Sequence, residues 1–154
     1  MKRLLISLII ALTAVMASTA QAGLNINRVF TGTAAASPEA TMTIMSGNSS
    51  YLKSHNLTAL ATFKGPSEKF AKTIEPLVVA DAAKATGKNL RYKNGHLHYA
   101  FFALPPLKSG KLTINRYVYY LDNDSEKDRN ITLVYLEGAI SQPAASKLIK
   151  TLRR

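Results

Sequence analysis

The chain has 154 residues, no cysteine, and 20 lysines and arginines against nine aspartates and glutamates, a formal charge of +11. That length suits one domain with a single core. The missing cysteine excludes disulfide staples, a lipid-modified cysteine and a cysteine nucleophile.

Met1-Lys2-Arg3 gives a positive start. Leu4 to Met16 is an apolar run broken only by Ser7 and Thr13, and Ala20-Gln21-Ala22 offers small residues two apart. This is the layout of a cleavable export signal. Residues 1–22 are therefore expected to be a signal peptide cut between Ala22 and Gly23, with Ala20 and Ala22 fitting the peptidase. Residues 23–154 are expected to form a single domain, periplasmic or secreted, with the signal as an apolar helix detached from it. The run falls short of a transmembrane span of ~20 apolar residues, and no later stretch approaches one. Loss of Lys2 and Arg3 lowers the charge from +11 to +9. Such a surplus attracts nucleic acid, acidic glycans or anionic head groups. It also serves a solvated surface that keeps a domain soluble. The basic residues are spread along the chain, with Arg91-Tyr92-Lys93 reading as the tightest group.

Along the chain, Leu24 to Phe30 reads as a short helix, since Ile26, Val29 and Phe30 share one helical face. Thr31-Gly32-Thr33 breaks it, and Ala34 to Ser37 forms a loop before Pro38. Thr41 to Met45 is β-rich and ends at the turn cluster Gly47-Asn48-Ser49-Ser50. Leu57 to Phe63 is a second strand closed by Gly65-Pro66. Ser67 is the expected N-cap of a helix, with Glu68 at the positive end of the dipole. Phe70, Ile74, Leu77 and Val78 carry the helical spacing, Pro76 predicts a kink or a restart, and Gly87 ends the element.

Asn94-Gly95 predicts a two-residue hairpin. Pairing outward sets Lys93 opposite His96, Tyr92 opposite Leu97, Arg91 opposite His98 and Leu90 opposite Tyr99. One face is then Leu90, Tyr92, Leu97, Tyr99 and Phe101, and the wet face begins Arg91, Lys93, His96 and His98. Pro105-Pro106 and Ser109-Gly110 close this unit. Asn115 to Leu121 and Ile131 to Leu136 form a second hairpin around the charged loop Asp122 to Asn130. Ser141 and Pro143 open a last helix with Ala145, Leu148, Ile149 and Leu152 on one face. The order implies an α+β domain: a mostly antiparallel sheet built from hairpins, with two or three helices packed on one face.

His96 and His98 are the most pointed chemical pair. Two apart on a strand, their imidazoles face the same way and suit one zinc or copper ion or an acid–base pair with Lys93. A firm metal site needs further ligands, His55 lies in another loop, and Arg91 and Lys93 repel a cation. In-line attack on a phosphodiester needs groups on both sides of the substrate. No metal or cofactor is therefore expected. No Gly-x-Ser-x-Gly motif occurs. Asp122, Asp124, Glu126 and Asp128 alternate as calcium ligands do, but Lys127 and Leu133 stand where an EF-hand needs glycine and glutamate, so a solvated loop fits better. Tyr117 and Tyr119 fall on one sheet face and Tyr120 on the other. With Arg91, Lys93 and Arg116 they suit stacking on sugars or bases, or plain cross-strand packing.

The signal, the short opening helix, the Asn94-Gly95 hairpin, Asn115-Arg116-Tyr117, and Leu133-Val134-Tyr135-Leu136-Glu137-Gly138 before a last helix resemble small exported α+β proteins of unknown function from Bacteroides-type gut bacteria. The resemblance implies an α+β fold and an envelope location, and brings no catalytic residue. The expectation is an exported, non-enzymatic binding module that uses its sheet surface, with Arg91, Lys93, His96, His98, Arg116 and Tyr120 as candidate binding residues. Its partner is expected to be an envelope protein or a polyanion. The alternative is a small hydrolase or metal-dependent enzyme centred on His96 and His98.

Overall fold

The computed structural model describes residues 23–124, 127 and 129–154. The export segment lies outside them, and with it the detached helix and the cut-site residues Ala20 and Ala22; so do Glu126 and Asp128. The elements run α1 (Asn27–Thr31), β1 (Thr41–Ser46), α2 (Ser50–Ser54), β2 (Leu57–Pro66), α3 (Ser67–Ala82), β3 (Gly87–Lys93), β4 (His96–Ser109), β5 (Leu112–Asn123), β6 (Asn130–Gly138) and α4 (Gln142–Leu152). All six strands pair antiparallel in one sheet, in the order β1-β2-β6-β5-β4-β3. Helix α3 carries the chain from β2 to the far edge. The meander β3–β6 then walks back until β6 closes on β2.

Strand β6 sits in the middle and is buried on both faces. Its side chains alternate. Ile131, Leu133 and Tyr135 join a core with Phe70, Ile74 and Val78 of α3 and Val29 and Phe30 of α1. Val134 and Leu136 join a second core with Ala145, Leu148 and Ile149 of α4 and Leu52 of α2. Burial of each large apolar side chain contributes roughly 1.5–3 kcal/mol, so neither face can be left wet. The expectation of helices on one face is corrected: α3 covers one side and α4 the other.

Several local signals act as read. Asn94 and Gly95 both take positive φ, +53° and +77°, as a type I′ turn requires. Ser141 caps α4 by accepting from the Ala144 N–H. Four differ. Helix α2, capped by the Ser49 side chain, starts at the last residue of the expected turn cluster and fills a stretch for which the sequence predicts no element. A single helix α3 spans Pro76 without restarting. Ser67 does not cap it, because its hydroxyl donates to Asp122 Oδ1 instead. Strand β4 runs on through Pro105-Pro106, where the β5 register shifts between Leu104 and Leu107, a bulge that frees the prolines from ladder donation.

The most consequential difference is a second bulge. Lys93 faces His96 and Tyr92 faces Leu97 as expected, but Arg91 then faces Tyr99, leaving His98 as the extra residue. Leu97 therefore shares the α3 core with Ala100 and Phe102, while Tyr99 and Phe101 turn to the α4 side.

The fully buried Asp81 carboxylate ties the first described turn to the end of α3. Oδ1 accepts from the Asn25 backbone N–H at 2.8 Å and from its amide at 2.9 Å, and Oδ2 accepts from the Ile26 N–H at 2.8 Å. Asp81→Ala leaves these donors without their acceptor and is expected to cost roughly 2–4 kcal/mol. Urea denaturation of residues 23–154 measures this; a loss under about 0.5 kcal/mol contradicts the anchoring role.

Candidate functional site

The wet hairpin face is concave rather than flat, because α3 packs beside it. A cavity of about 410 Å³ lies between them, with Lys93, His96 and His98 on the sheet side and Glu75, Lys72 and Ser67 on the helix side. Glu75 is the organiser. One of its oxygens accepts from the Leu97 N–H at 2.9 Å, and the other lies 3.5 Å from His96 Nδ1. Lys93 is paired with Asp124, whose carboxyl is held below the usual range, chiefly by the hydrogen bond from that lysine. Ser67 is bound to Asp122. Lys93, Asp124, Glu75 and Asp122 are thus engaged within the cleft itself.

The other expected binding residues lie elsewhere. The Arg91 guanidinium stacks 5.3 Å from the Tyr99 ring. Arg116 donates from Nε and Nη2 to the Pro105 carbonyl, at 3.1 and 2.8 Å. It stands opposite Glu137, which accepts from the Tyr135 hydroxyl at 2.7 Å. Tyr120 is corrected as a binding residue: it is fully buried in the α3 core. Burial pushes its phenol well up, helped by the negative charges of Asp122 and Glu75. Its hydroxyl has no hydrogen-bond partner among the described residues. Tyr117 and Tyr119 are buried too, packed across strands against Phe101 and Tyr99 with ring centroids 6.1 and 5.7 Å apart. No group of three or more His, Asp or Glu side chains suited to a metal occurs among the described residues.

A second site was not anticipated. On the α4 face, register stacks three rows across β1, β2 and β6: Met45–Leu60–Leu136, Thr43–Thr62–Val134 and Thr41–Lys64–Thr132. Helix α4 covers β6 and β5, and beside it this floor stays open as a groove of about 460 Å³, lined also by Tyr51 and Leu152. It continues, through Lys64 and Thr132, into a cavity of about 530 Å³ ringed by Lys64, Lys150, Arg153 and Arg154, with Asn123 and Asn130 on its floor. None of the described side chains lining either space is acidic. The Lys64 ammonium donates to the Arg153 carbonyl at 3.2 Å, and Arg153 Nη1 donates to the Tyr119 hydroxyl at 3.3 Å. Lys150-x-x-Arg153-Arg154 carries more basic residues than Arg91-Tyr92-Lys93, three against two, and includes an adjacent pair. Composition signals that run; only the register brings Lys64 to it.

The sequence model of a family of unknown function matches residues 13–149, most of the chain. The chain belongs to that family, DUF6108. The matched segment contains the histidine cleft and Lys64, and ends one residue before Lys150. No curated protein and no solved structure matches the chain. Among the described residues no helix is long and apolar enough to cross a membrane.

Two outcomes follow from this geometry. Tyr120→Phe keeps the ring and removes a buried hydroxyl that has no partner, so stability should hold or rise by up to ~1 kcal/mol. A loss above 1 kcal/mol in urea denaturation shows instead that the hydroxyl is satisfied, by water or otherwise. The depressed Asp124 carboxyl favours the folded state above the ordinary aspartate value of ~3.9, and that contribution disappears as pH falls through the lower folded value. In a carbon-detected NMR titration Lys93→Gln should raise the Asp124 midpoint toward the ordinary aspartate range; an unmoved titration rejects Lys93 as the cause.

Proposed function

We propose that the protein is exported to the periplasm or beyond, is cut after Ala22, and acts as a non-enzymatic binding module through the α4 side of its sheet. The observation that carries this reading is the open groove beside α4, lined by no acidic side chain among the described residues, where Lys64 of β2 and Lys150 of α4 adjoin an apolar floor. Clefts of roughly 300–1,000 Å³ with few polar groups are the usual form of a ligand site. The basic end favours an anionic partner, in line with the surplus of +9 left after cleavage. The export half rests on the charged start, the apolar run and the Ala20-Gln21-Ala22 site. Expression of the full chain in a bacterium with a periplasm, followed by intact mass and N-terminal sequencing, should give a product beginning at Gly23. A cytoplasmic, full-length product rejects export.

A second reading, a small hydrolase at His96 and His98, is favoured by one observation: the hairpin face forms a cleft with Ser67, Glu75 and Asp122 converging on it. Against it stands the internal pairing of those groups. Turnover of RNA or a nitrophenyl phosphodiester by the 23–154 domain, lost in His98→Ala with unchanged thermal stability, moves the function to the cleft; no turnover by the unaltered domain ends this reading.

A further inference from the structure

We infer that the groove on the α4 face takes a single-chain amphiphilic anion, its alkyl tail on the Met45–Leu60–Val134 floor and its carboxylate or phosphate head at Lys64, Lys150 and Arg153. The inference rests on the reading of the α4 face as a binding surface and names its ligand class.

The argument is the polarity gradient along the strands. At one end the floor is Met45 and Leu60, with Tyr51 of α2 beside them. One row on come Thr43, Thr62 and Val134, which also line the groove. The third row is Thr41, Lys64 and Thr132, and past it Asn123 pairs with Asn130. Leu60 to Lys64 spans four residues, about 13 Å at a strand rise of ~3.3 Å. A dry surface of that length, turning cationic at one end only, matches a molecule with a tail of medium length and one terminal negative charge.

Charge selects against the other classes. A neutral lipid leaves the cations unused, and a small anion leaves the apolar floor wet. A polyanion covers the cationic end but puts charge against Met45 and Leu60. A flat bilayer surface cannot enter a groove walled by α4 and α2. The amphiphile uses both halves: burial of each methylene contributes roughly 0.8 kcal/mol, and the head gains a charge-assisted contact beside three or four cations.

The test uses the 23–154 domain with dodecanoate below its micelle concentration, followed by titration calorimetry. Micromolar binding is expected, at least tenfold tighter than for butyrate or for dodecanol. The Lys64→Gln, Lys150→Gln double variant should lose at least tenfold for dodecanoate and nothing for dodecanol. Thr43→Trp, on an exposed edge-strand position that tolerates aromatics, should fill the groove and abolish binding of both, with circular dichroism and melting confirming the fold. Raising salt should weaken dodecanoate alone. Equal binding of butyrate and dodecanoate, or binding only to anionic phosphatidylglycerol vesicles, overturns the inference. So does absence of dodecanoate binding. If polyphosphate or heparin then binds and the lysine variant abolishes it, the α4 face remains the binding surface with a different ligand. If neither binds, the reading of that face falls as well.

Discussion

Strand β6 governs the architecture. Eight of its nine residues are buried, and they alternate between two cores. An antiparallel sheet usually leaves one face to water, but a central strand reading Ile-Thr-Leu-Val-Tyr-Leu has no polar set to turn outward. Each face must then be roofed, and among the described residues two helices are long enough to do it. Helix α3 arrives from β2 and must cross to the far edge to start the meander, so it roofs one side on the way. Helix α4 follows β6 directly and folds back over the other. Gly138 makes that exit possible: a Cβ there meets the Asn56 carbonyl oxygen at 2.2 Å, so only glycine lets β6 end so close to the start of β2.

The same two-sided burial explains why the β3–β4 register misleads. Register is read from sequence by asking which slip would wet an apolar side chain. Leu97, Tyr99 and Phe101 alternate without a break, so a straight hairpin looks complete. Yet both faces here are apolar. The bulge at His98 sends Leu97 to the α3 core and Tyr99 and Phe101 to the α4 core, and of the expected dry face Tyr92 is left exposed. The pattern that fixes a one-sided sheet is silent in a two-sided one. The type I′ turn at Asn94-Gly95 and the first two pairs were readable, because they depend on backbone conformation and not on which face is dry. The apolar run of β6 did carry the missing information, since continuous apolar strands are the mark of burial on both faces.

The candidate sites were readable to different depths for a related reason. His96, His98 and Lys93 share a cleft because they lie within one hairpin. The carboxylate that holds His96 comes from α3, 21 positions earlier, at a helix position the sequence marks only as polar. Tyr120 was assigned to a surface by strand alternation, and its alternation is right: it faces opposite to Tyr117 and Tyr119. What alternation could not say is that its face lies under α3. Lys64 and Arg153 are 89 residues apart and meet only because β6 inserts between β2 and β5 and the end of α4 comes within reach of Lys64.

The basic end of the α4 groove has a structural explanation that must be weighed against a functional one. The C-terminus of a helix carries the equivalent of about half a negative charge, and cations in its last turn are stabilising for that reason alone. Lys64, by donating to the Arg153 carbonyl, also satisfies an end group of the helix. But four side-chain cations exceed that partial charge several-fold, so most of their field is left facing the groove. Cations serving only the dipole also have no reason to collect at the polar end of an open apolar floor. They do so here because Lys64 lies in the third row of that floor, between Thr41 and Thr132. The sheet register, not the helix, sets where the positive field begins, and it begins where the apolar rows stop.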